Sequence, residues 1–138
     1  MVRRRKQARS LFEVLLPDSD KLWPNWLKRI DTLLEDEAVI ETVASALEER
    51  WPKSRTRGRE GTPAEVVLRM LILKHLHDWS FDELEQEVRA NLVYRAFTRI
   101  GLDAVPDAKT ILKIAKALGP EVITDLHQRV VDVAKRAG

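Results

Sequence analysis

Lys109, Lys113 and Lys116 recur at intervals of four and three within AKTILKIAKAL, a stretch of the 138-residue chain that reads as a helix. At about 100° per residue the three ammoniums fall within about 60° of one another. Ile111, Ile114, Ala115 and Leu118 share the opposite side, and no acid interrupts the row. Ammoniums in a row neutralise phosphates and release counterions, and the amides at a helix N-terminus add donors for an anion. With Thr110 beside them, these lysines form a candidate DNA-facing surface. A lysine row is equally an ordinary solvated helix face, so by itself it fits both readings.

A second basic stretch lies upstream. In PKSRTRGREG, residues 52–61, Arg55, Arg57 and Arg59 alternate with Ser54, Thr56 and Gly58. Such a segment can follow a phosphate backbone or enter a minor groove as an arm, or serve only as a solvated linker. Arg3, Arg4, Arg5 and Lys6 offer the same chemistry in a basic tail, residues 1–10, whose lack of apolar period predicts disorder. The net charge is only +2, but it is unevenly spread. Residues 17–49 carry nine acids against three bases, between two basic segments. That distribution predicts separate acidic and basic surfaces.

Other groups have simpler explanations. His75 and His77, two apart on a helix, point in different directions and cannot easily share an ion; near a helix C-terminus they complement the dipole. His127 stands apart as a surface or part-buried residue. Asp82 and Glu83 belong in a first helical turn, where acids are stabilising, so the Asp82, Glu83, Glu85, Glu87 group needs no acid–base role. Trp23, Trp26 and Trp51 lie on apolar stripes; Trp79 falls in a loop, where it can be exposed. The chain contains no cysteine, which excludes disulfides and thiolate metal sites. No apolar run is long enough to span a membrane and no signal-peptide pattern opens the chain, so a soluble, cytoplasmic protein is expected. The residues point to no catalytic group, no metal ligand and no cofactor.

The elements that would position the lysines are all helical. Thr62, Pro63 and Glu65 predict a capping box opening a helix to His77, whose Val66, Val67, Leu68, Met70, Leu71, Ile72, Leu73 and Leu76 leave little polar face. Ser80 and Glu83 predict a second box and a helix to residue 90. A further helix spans 92–100, stopped by Gly101, and Asp107 caps the lysine-bearing helix to Leu118, stopped by Gly119. Pro120 opens the last. Upstream, the stripes through Trp26, Leu27, Ile30, Leu33 and Leu34 and through Val39, Ile40, Val43 and Leu47 predict two helices broken in the acidic 35–37. The expected fold is all-α: a compact multi-helix domain over 62–138 with a helix-turn-helix-like C-terminal half. A more loosely attached helical region, 11–51, precedes the 52–61 linker. The stretch from Asn91 to Asp107 is longer than the tight turn of a standard helix-turn-helix.

The order of features from Gly61 to Leu118 resembles the N-terminal domain of insertion-sequence DDE transposases of the InsH-like group. The resemblance rests on Gly61, Pro63 and Glu65, then Leu73 and Leu76, then Ser80, Glu83 and Leu84. Asn91, Tyr94, Arg95 and Phe97 follow, and lastly Pro106, Asp107, Thr110 and Ile111; RSLFE at 9–13 also resembles some openings. It implies a DNA-binding module that recognises terminal inverted repeats during transposition, with Lys109, Thr110, Lys113, Lys116, Arg55, Arg57 and Arg59 as contacts. It also implies that the divalent-metal catalytic domain is a separate part, absent from this chain, so that this chain alone is not an enzyme. The alternative is a helical dimerisation module with little DNA contact, its acidic block and tryptophan stripe pairing with a second copy. No membrane or small-molecule partner is implied.

Overall fold

A computed structural model describes residues 19–50 and 62–137. The basic tail, the 52–61 segment with Arg55, Arg57 and Arg59, and Trp51 lie outside the described residues. Within them the chain is all-α. A 3-10 turn at Ser19–Leu22 leads to α1 (Asn25–Leu33), α2 (Glu37–Arg50), α3 (Ala64–His77), α4 (Phe81–Ala90), α5 (Leu92–Phe97), α6 (Ala108–Leu118) and α7 (Pro120–Ala137).

α3 is the central post. Every residue from Ala64 to Leu73 is buried, because α2, α4, α6 and α7 all pack against it. Each fully buried leucine or isoleucine contributes about 2 kcal/mol through area removed from water. The acidic break falls where it was expected: Asp36 Oδ1 accepts from Ala38 N at 2.9 Å and starts α2. α1 and α2 are not the loose attachment that was expected of the region ahead of the 52–61 linker. Leu27, Ile30, Leu34, Val39, Ile40, Val43 and Ala44 join the same core cluster as α3, with α1 lying on α7 and α2 on α3 and α6. Their apolar stripes needed a surface to cover, and the far end of the chain supplies it.

Two local expectations differ from the outcome. No capping box forms at Thr62: Pro63 is the N-cap, and its ring has no acceptor to offer the first amides. Glu65, only 2% exposed, turns instead to Arg69 one turn on, Oε2 to Nε 3.4 Å, since a carboxylate inside the core requires a cation. The helix expected over 92–100 ends at Phe97. Its left-handed residue is Arg99, at φ 68°, before Gly101 at φ 62°. The box at Ser80 does form, with Glu83 N to Ser80 Oγ and Ser80 N to Glu83 Oε1 both 3.1 Å. Ser80→Ala is therefore expected to cost about 1 kcal/mol in denaturant unfolding and Thr62→Ala only a few tenths; equal losses would restore the box at Thr62.

Candidate nucleic-acid interface

α6 presents the predicted division of faces. Ile111, Ile114, Ala115 and Leu118 are buried, and Lys109, Thr110, Lys113 and Lys116 are exposed. Asp107 caps the helix by accepting from Thr110 N at 2.8 Å. Hydrogen bonds from the Thr110 side chain and amide hold the Asp107 carboxyl below its usual range, and the charges of Lys109 and Arg89 pull the same way. The sequence offered the first amides as anion donors, but two of them already have partners. Ala108 N donates to Glu85 Oε1 of α4 at 2.7 Å, so two carboxylates already occupy the tip.

The long connection into α6 is built, not slack. Arg95 Nε donates to Arg89 O at 3.0 Å, and its Nη1 reaches Gly101 O and Asp103 O at 3.1 and 3.3 Å. One side chain thus ties the end of α4 to the segment that precedes α6. Behind it, Arg69 is wholly buried. It pairs with Asp31 of α1 and donates to Phe97 O at 3.1 Å, with its guanidinium 5.2 Å from the Phe97 ring centroid. Asp31 also forms an ion pair with Arg99 at 3.0 Å, and Arg99 Nη1 donates to Ala96 O at 3.1 Å. Burial, then the Arg99 charge, lowers the Arg69 pKa, against Asp31 and Glu65. This network was missed. Its signal was Glu65 and Arg69 four apart in an otherwise apolar helix.

Opposite chemistry marks the far end of α3. His75 and His77 diverge as expected: His75 faces His127, ring centroids 5.3 Å apart, whereas His77 stacks on Trp79 at 4.4 Å. His77 Nε2 is also 3.2 Å from Tyr94 Oη. Trp79 is part-buried in this cluster, and Trp23 packs edge-on against Phe97 at 6.1 Å. Burial lowers both histidine pKa values; Lys74 and His127 add to it at His75, and Glu87 opposes it at His77. As pH falls through about 6.5, the unfolded chain takes up protons that the folded chain does not. Stability from these groups is therefore full above that pH and declines as pH drops towards the folded values. Thermal midpoints should fall between pH 7.5 and pH 5.5, as markers of that window, and the His75→Asn/His77→Gln pair should flatten the decline; an undiminished slope in the pair would refute the assignment. Among the described residues no group of three or more His, Asp or Glu side chains is placed to hold a metal ion, and no helix is long and apolar enough to cross a membrane.

No curated protein and no solved structure matches the chain. The Transposase domain (DUF772) family model matches residues 13–117. That span runs through the Asp31–Arg69–Arg99 network and takes in all three lysines of α6. With so much of the chain matched, and with the core and the basic helix inside the match, the protein belongs to the transposase domain family.

Proposed function

We propose that this chain is a DNA-binding module of an insertion-sequence transposase, recognising element-end DNA through the flank of α6. The observation that carries the reading is the division of α6: four exposed polar residues, three of them lysines, on a helix anchored by its other side in the core. Lys109, Lys113 and Lys116 meet phosphates, and Thr110 lies among them to contact backbone or base edges. Membership of a transposase domain family supplies the DNA context. Arg55, Arg57 and Arg59 are proposed as a second grip. The two aspartates and glutamate that hold metal in DDE transposases are not assigned to any residue here.

The alternative is a dimerisation module that uses the tryptophan stripe of α1. Packing inside the domain favours the DNA reading, because Leu27 and Ile30 of that stripe are already buried. A salt-dependent gel-shift titration with element-end and scrambled duplexes tests it. Tighter binding to element ends, weakening as salt rises, is expected. Equal affinity for both duplexes would remove the recognition role. Sedimentation at high concentration addresses the alternative, for which a strictly monomeric species would be fatal.

A further inference from the structure

The basic face does not stop at α6. Arg89 lies in the last turn of α4 with its side chain 55% exposed, and its Nη2 is 3.3 Å from Glu85 Oε2. The other oxygen of that carboxylate takes the Ala108 amide at the start of α6. Arg89 is thus one carboxylate away from the helix that carries the lysines. The charges of Arg89 and Lys109 both reach Asp107, the N-cap of α6.

Among the arginines near α6, Arg89 is the one whose head group can change partner at low cost. Arg95 is committed to three backbone carbonyls, and Arg99 to Asp31 and the Ala96 carbonyl. The Arg89–Glu85 pair spans one helical turn with its arginine end in solvent and its carboxylate half-buried, and an i,i+4 pair with an exposed partner contributes little. Glu85 would not be stranded by losing it, because the Ala108 N–H and the positive end of α6 continue to stabilise its charge. A guanidinium is also suited to bidentate contact with phosphate oxygens.

We propose that Arg89 is a further phosphate contact, leaving Glu85 for a DNA phosphate, so that the C-terminal turn of α4 grips the backbone alongside the flank of α6. This rests on the reading that α6 faces DNA. The contact positions the module and carries no sequence information.

The test compares wild type, Arg89→Gln, Arg89→Lys and Arg129→Gln by fluorescence anisotropy over a salt series, on element-end and scrambled duplexes. Arg129 is the matched control: it is exposed and pairs one turn away with Asp125 at 3.3 Å on α7. Arg89→Gln should weaken binding to both duplexes by the same factor, several-fold at about 0.1 M salt, and make the log K against log salt slope shallower by about one. Arg89→Lys should restore most of the slope, and Arg129→Gln should leave it unchanged. An unchanged slope in Arg89→Gln overturns the proposal, as does an equal loss in Arg129→Gln. A lower thermal midpoint in Arg89→Gln that Arg89→Lys fails to recover, with the slope equally lost in both, also overturns it by making the role structural. If wild type itself binds neither duplex, the α6 reading fails; if wild type binds with a steep salt slope and Arg89→Gln matches it, only this inference fails.

Discussion

Asp31→Ala is expected to lower the unfolding free energy by about 3 kcal/mol, a large part of the 5–15 kcal/mol typical of such domains. The carboxylate serves two arginines. Arg69 is fully buried and Arg99 is 28% exposed at the side chain. Without Asp31, Arg69 keeps Glu65 and the Phe97 carbonyl, but a buried guanidinium loses its closest counter-charge. Arg99 loses a partner that helps hold a left-handed backbone uncommon for a non-glycine residue. Because both arginines grip the end of α5, the damage should spread into the segment that feeds α6. Arg69→Met in the Asp31→Ala background should recover part of the loss, since removing the stranded cation is often less costly than leaving it. Urea unfolding measures both; an Asp31→Ala midpoint equal to wild type would show the network to be incidental. Arg99→Gln should cost less, about 1 kcal/mol, because its side chain is closer to solvent.

Reversing Lys109 and Lys113 together, as Lys109→Glu/Lys113→Glu, is expected to weaken element-end DNA binding about 100-fold at ~0.1 M salt and to make the salt slope shallower by roughly two. Each reversal removes one phosphate contact and places a carboxylate against the backbone. Asp107 and Glu85 already hold negative charge at the same end of α6, so Lys109→Glu would turn the helix tip strongly anionic. Both lysines are exposed, on the face opposite the buried Ile111, Ile114, Ala115 and Leu118. Helicity and thermal midpoint should therefore stay close to wild type. Binding that survives the double reversal would move the DNA contact away from α6.

Local chemistry decided much of this protein before any packing. The three-and-four spacing of apolar residues marked out most helices of the described residues, and the acidic stretch at 35–37 separated two of them. The Ser80–Glu83 box and the Asp107 cap were legible because a cap acts over three or four residues and needs no distant partner. The two faces of α6 were readable for the same reason: helical period alone assigns Ile111 and Lys109 to opposite sides.

What the sequence could not contain was the partner of each group. Glu65 has the right spacing to cap with Thr62, yet the core closes over it and Arg69 claims it. Nothing adjacent to Asp31 marks it as the counter-ion of residues 38 and 68 positions away; only the arrival of α1 beside the end of α5 does. Glu85 read only as one of four acids with no acid–base role, and it became an acceptor for the first amide of another helix when α4 packed on α6. The N-terminal region read as more loosely attached, yet its leucines, isoleucines and valines complete the core and its Asp31 pairs with the buried Arg69. Periodicity is a property of the chain and survives in isolation. Burial, and the pairing that burial forces on charged groups, exists only once the helices meet.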